Sequence, residues 1–167
     1  MEPLAPPDSH HLDAAIGWLG LGCANDACAE LEKISAASQN HPGVLEVRWA
    51  LCAHEKQWHN ALEIAELELA FAPGEASGWL HRAYALRRTN SGGLSQAWNA
   101  LLPAAEKFPA EPVIAYNLSC YACQMRQLDL ARTWLQRAVA AGRKEAIKKM
   151  ALDDDDLQPL WPEIKEL

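Results

Sequence analysis

The stretch AYNLSCYACQMRQLDLARTWLQRAV, residues 115–139, decides the fold. It reads as a helix, a turn near Met125–Gln127, and a second helix with the small residue Ala131 near its start. Runs of Val, Ile and Thr at strand spacing are missing from the chain, and Ala, Leu and Glu dominate, a composition that favours helix. Two cysteines, Cys120 and Cys123, sit in the first of these helices. At i,i+3 they share a face.

The same pattern occurs three more times, in AAIGWLGLGCANDACAELEKI, VRWALCAHEKQWHNALEIAELELAFAP and GWLHRAYALRRTNSGGLSQAWNALLPAAEKFP. Each has a small residue early in its second helix. These are Ala27, Ala61, Ala97 and Ala131, which recur at a nearly constant spacing. The third segment is slightly longer than the others, and its extra length falls in TNSGG, residues 89–93, a turn-forming run. Pro73 and Pro109 follow Ala61 and Ala97 at the same distance, whereas Pro42 lies further from Ala27.

Paired helices that repeat with a period of about 34 residues resemble the tetratricopeptide repeat family. The resemblance covers about Leu12 to Ala141. Trp79, Ala83, Ala97, Leu101, Ala104 and Pro109 fall on the motif's places, as do Leu118, Ala131, Leu135 and Ala138. The second segment departs from it, with bulky Trp49 where the motif has a small residue, and the first is degenerate. The expectation is an all-α fold: an α-solenoid of about four such helix pairs with a C-terminal capping helix. Small residues let the two helices of a pair approach closely, larger ones such as Leu101 and Leu135 fill the gap to the next pair, and stacked pairs share a core. The expected organisation is a flexible tail over 1–10, repeats over 11–142 (about 11–40, 43–73, 75–109 and 111–142), and a capping helix and tail over 143–167. The cap reads as a helix from about Lys144 to Ala151 and a turn holding Leu157, Leu160 and Trp161.

With 167 residues, 50% of them hydrophobic and 22% charged, the chain can bury a core without metal or disulfide staples. The net charge of −7 argues against nucleic acid, which needs concentrated Lys and Arg. The richest basic stretches, residues 82–88 and 143–149, are short. Five cysteines, an odd number, speak against a secreted disulfide framework. No Lys or Arg precedes Lys33, so the apolar run near the N-terminus lacks the charged flank of a signal peptide. The reading is of a cytoplasmic protein with reduced thiols and no membrane partner.

Catalytic and metal signatures are weak. A zinc site at Cys120 and Cys123 needs two more ligands, and Cys23 and Cys28 lie about three repeats away. Packing or groove lining is the preferred reading of the pair over redox or metal chemistry. His54 and His59 flank a turn near Cys52, without an obvious way for their rings to converge. LDDDDL, residues 152–157, lacks the glycine and spaced carboxylates of a calcium loop and reads as helix capping by Asp156 or a neighbour. TNSGG lacks the lysine and spacing of a phosphate loop. No enzyme, metal or cofactor is expected.

In the resembled family the first helices of successive pairs line a concave groove that binds peptides or partner proteins. The resemblance places Glu46, Ala50 and His54 there from the second pair. The third adds Ser77, Leu80, Tyr84, Arg87 and Arg88, and the fourth adds Val113, Tyr116, Cys120 and Gln124. Tyr84 and Tyr116 offer anchors, and arginine suits carboxylates. The lysines of the family's chaperone-carboxylate clamp are missing, so that clamp is not expected. The leading expectation is a protein–protein interaction module of the small bacterial type. Its alternatives are a secretion-type chaperone and a homo-oligomer using Trp18 or the region of Trp161.

Overall fold

The computed structural model describes residues 3–167. All regular structure among them is helical, as an all-α helical repeat requires. The chain divides into two compact units, Met1–Thr89 and Asn90–Leu167. The boundary falls in the TNSGG turn, between the two helices of the third sequence repeat.

In the first unit, α1 (Asp8–Gly20), α2 (Ala24–Glu32), α3 (Pro42–His54), α4 (Trp58–Phe71) and α5 (Ser77–Leu86) each pack on the next. A short 3-10 turn over Ala36–Ser38 separates α2 from α3. Helix α1 starts at Asp8, inside the span expected to be a tail over 1–10. Asp8 is buried, and its carboxylate accepts from the Ser35 backbone N–H at 2.9 Å and from the Ser35 hydroxyl. Those bonds tie the start of α1 to the segment after α2. A contact so distant along the chain is invisible to a composition argument that sees only Pro3, Pro6, Pro7 and a polar flank.

In the second unit, α6 (Leu94–Leu101) and a single turn, α7 (Ala104–Lys107), precede α8 (Pro112–Gln124) and α9 (Leu128–Ala141). Then come α10 (Lys144–Leu152), a 3-10 segment over Asp155–Leu160, and α11 (Trp161–Lys165). Helices α8 and α9 form the central pair, and the 3-10 segment lies against α8.

Local chemistry explains the helix ends. Both α3 and α8 start with proline in the first turn, where its missing N–H costs nothing, behind a side-chain cap. His41 accepts from Gly43 N–H at 3.2 Å, and Glu111 from Val113 N–H, also at 3.2 Å. Three first helices end the same way. Gly22, Lys56 and Arg126, at equivalent places in their repeats, have φ of 76°, 58° and 62°. The next residue's N–H reaches back to the last turn in each case: Cys23 to Trp18 at 2.9 Å, Gln57 to Cys52 at 2.8 Å and Gln127 to Ala122 at 2.9 Å. This is a Schellman closure with a left-handed residue, which glycine adopts freely and lysine or arginine only with strain.

Ala27, Ala61 and Ala131 lie in the packed pairs α1–α2, α3–α4 and α8–α9. Ala27, Ala61, Ala97 and Ala131 are all fully buried. The approach across α8 and α9 is close enough for the buried Ser119 hydroxyl to donate to the Ala131 carbonyl at 2.8 Å. Helices α4 and α5 also pack backbone to backbone. A Cβ on Gly78 would lie 3.1 Å from the Leu69 backbone nitrogen. In the cap, Leu157, Leu160 and Ile164 are buried, as are Ile147 and Ala151, and the Trp161 indole N–H donates to the Ala151 carbonyl at 2.9 Å.

Candidate partner-binding surface

The groove residues mapped from the sequence fall in both units. In the first unit, α3 carries Glu46 and His54 in exposed positions. Helix α5 and the turn after it carry Ser77, Leu80, Arg87 and Arg88, half-buried, and Tyr84, which is 37% exposed. Tyr84 is the outer member of an aromatic cluster. Its ring meets Trp49 edge-on at 5.8 Å and Trp58 at 5.8 Å between centroids. The Arg88 guanidinium lies 3.5 Å from the Tyr84 centroid and 5.3 Å from that of Trp58. It also donates to the Tyr84 carbonyl at 3.1 Å.

Beneath Tyr84 the cluster is fixed from three helices. Trp49 of α3 stacks on His81 of α5, centroids 3.7 Å apart and planes within 6°. His81 Nδ1 lies 2.7 Å from the Glu68 carboxylate of α4. Glu68 is 3% exposed; its second oxygen and the Trp49 indole N–H are buried without hydrogen-bond partners among the described residues. The bulk of Trp49, which breaks the repeat motif, is thus accommodated by stacking on α5. Tyr84, packed against two tryptophans and beneath an arginine, brings together tyrosine, tryptophan and arginine, the residue types that dominate interface energetics.

Of this cluster the sequence reading placed Tyr84 and Arg88 and missed Trp49, Trp58, His81 and Glu68. Trp49 entered it only as a departure from the motif, and Trp58 and Glu68 sit on a second helix, outside the groove register. The seven tryptophans beside two phenylalanines were the available signal that aromatics had a specific use.

The second unit corrects the mapping. Tyr116 is 5% exposed and Cys120 2% exposed, so neither lines an open groove. The segment following α10 covers them. The Tyr116 hydroxyl lies 2.8 Å from the Asp154 carboxylate and 3.3 Å from the Met150 carbonyl. Cys120 Sγ lies 3.5 Å from the same carboxylate. The Gln124 side chain, exposed, donates to the Asp156 carbonyl at 3.0 Å. Val113 alone of the four stands clear at 37% exposure. Burial, then Cys120 and Asp154, push the Tyr116 phenol far above its ordinary range. Burial and the Asp154 charge do the same to the Cys120 thiol. Burial and Asp156 raise Cys123. Both cysteines are free thiols. These shifts oppose the low-pKa thiolate that redox chemistry uses.

Cys120, Asp154 and Asp156 form the one grouping of metal-capable atoms among the described residues, within 4.8 Å of one another. Its atoms already serve the cap, since Asp154 accepts from Tyr116 and, at 2.9 Å, from the Asp156 N–H in the first turn of the 3-10 segment. Asp154 is therefore the capping neighbour that LDDDDL called for. His54 and His59 do not join any such grouping among the described residues.

No family model and no curated protein matches the chain. Among solved structures it is similar to a MamA RS-1 ArsTM double mutant, a tetratricopeptide-like protein, with a TM-score of 0.68 and 19% identity. The likeness covers 83% of this chain and 77% of that one. It shows a tetratricopeptide-like helical repeat fold. No helix among the described residues is long and apolar enough to cross a membrane.

Proposed function

We propose that this protein is a non-enzymatic interaction module, binding a peptide or partner protein on the α3–α5 face of its first unit. The observation that carries the reading is the Tyr84 platform. Tyr84 and Arg88 are presented on a support of Trp49, Trp58 and His81, while the corresponding face of α8 is filled by the chain's own segment. Glu46 and His54 of α3, Leu80 of α5 and Arg87 just after α5 supply a polar and apolar rim. The repeat fold supports the reading because such folds place function in a few side chains on a shared scaffold.

The test is capture of partners by wild type and by Tyr84→Ala/Arg87→Glu, after circular dichroism shows equal helicity. A partner lost only in the variant is the expected result. Equal retention would move binding off this face.

Self-association is the second reading. Ile16 and Leu21, on and just past α1, are 51% and 74% exposed, and Trp18 is 39% exposed. Sedimentation of wild type against Ile16→Lys/Leu21→Lys tests it, with a concentration-dependent mass expected for wild type alone.

A further inference from the structure

A cleft of about 390 Å³ opens within the second unit, between the α7–α8 connection and α9. Its hollow exists because Ala105, Ala115, Ala140 and Ala141 are small; Phe108 is its partly open apolar wall, with the buried Ile114 and Trp134 forming its floor. Two opposite charges also line it, Glu111 and Arg137. They do not pair with each other, and each is held in place by something else. The Arg137 guanidinium lies over the Trp134 ring, 4.5 Å from its centroid. Trp134 is itself fixed edge-on against Trp98 at 6.1 Å. Glu111 is held by capping α8, with one oxygen on the Val113 N–H at 3.2 Å.

A guanidinium held over an indole by its charge does not use up its N–H donors, which stay available for a carboxylate. Among the described residues no hydrogen bond or ion pair uses those of Arg137. The second oxygen of Glu111 is likewise without a partner among the described residues. One cation and one anion, separately anchored beside an apolar hollow, match a ligand with three parts: a carboxylate, an ammonium and an apolar body. The volume lies near the lower end for ligand pockets, which suits a small molecule. We propose that this cleft binds a free α-amino acid with an apolar side chain, carboxylate on Arg137, ammonium on Glu111 and side chain against Phe108 and the Ala140–Ala141 edge, over the floor of Ile114 and Trp134.

The test is titration of the protein with L-phenylalanine and L-leucine, followed by the Trp134 indole N–H signal in NMR. Saturable shifts with a Kd of roughly 0.1–1 mM are expected. 3-Phenylpropionate, lacking the ammonium, and phenethylamine, lacking the carboxylate, should each bind about tenfold more weakly. Arg137→Gln and Glu111→Gln should each weaken L-phenylalanine by a similar factor. The Glu111→Gln variant keeps an oxygen to cap α8, so the fold is preserved. Ala141→Leu, at an exposed position, should block the cleft. Absence of any shift with either amino acid up to about 10 mM would overturn the proposal. So would equal binding of 3-phenylpropionate and L-phenylalanine, or unchanged affinity in both charge variants.

Discussion

The Tyr116 hydroxyl sits 2.8 Å from the Asp154 carboxylate, joining α8 to the segment that follows α10. A position that the repeat register assigns to partner binding is therefore spent on the chain's own cap. Asp154 simultaneously holds Tyr116, Cys120 and the Asp156 N–H in the first turn of the 3-10 segment.

Tyr116→Phe should consequently cost stability and spare binding. Removing a hydrogen bond to a charged group in a part-buried site costs about 1–3 kcal/mol. Urea unfolding measures this, and the variant should capture the same partner as wild type. Loss of the partner without loss of stability would return Tyr116 to the binding surface.

Lys56→Gly and Arg126→Gly should each stabilise the protein by about 0.5–1 kcal/mol, because relief of left-handed strain exceeds the extra backbone entropy that glycine loses on folding. Chemical denaturation of the single and double variants checks the sign. The two sites lie in different units, so their effects should add.

Ala61→Leu and Ala131→Leu should destabilise by about 1–3 kcal/mol or more, because both alanines are fully buried at helix seams. Gly78→Ala should destabilise as well, since its new methyl meets the α4 backbone at Leu69. Thermal melts of the three variants test the seam directly; neutral melts would mean that the helices can separate at no cost.

Asp8 carries an acid-sensitive contribution. Hydrogen bonds from the Ser35 side chain, from Ser38 and from the Ser35 backbone hold its pKa below the ordinary 3.8. A carboxylate with a depressed folded pKa stabilises fully above its unfolded value and loses that contribution as pH falls through the folded one. Stability of wild type should therefore fall below about pH 4, and Asp8→Ala should be less stable near neutral pH with a shallower acid slope. Denaturation midpoints from strongly acidic to neutral pH would show it, and parallel curves would exclude the contribution.

The residues themselves show why the helices were legible and the surface only partly so. Ala27, Ala61 and Ala131 recur in the repeat register because each performs the same local task within a packed helix pair, and the task shows in sequence. Gly22, Lys56 and Arg126 share a conformation at equivalent places, yet only the glycine advertises it. Trp49, by contrast, reads as a defect until His81 and Glu68 are brought to it from two other helices. Glu111 and Arg137, far apart along the chain, become a pair of anchored charges only when α8 and α9 pack.

The kind of element and its recurrence can be read from the residues alone: paired helices, small residues early in their second members, turns between them, and a hydrophobic cap after the last pair. These follow from side-chain volume and backbone preference at short range. Which of the mapped faces stay open depends on the packing of the folded chain. Whether Tyr84 faces solvent and Tyr116 faces Asp154 depends on what covers each face. The covering segment for Tyr116 comes from well beyond the next helix, after α10. Periodicity fixes the direction in which a side chain points from its helix, but burial belongs to whatever else packs there.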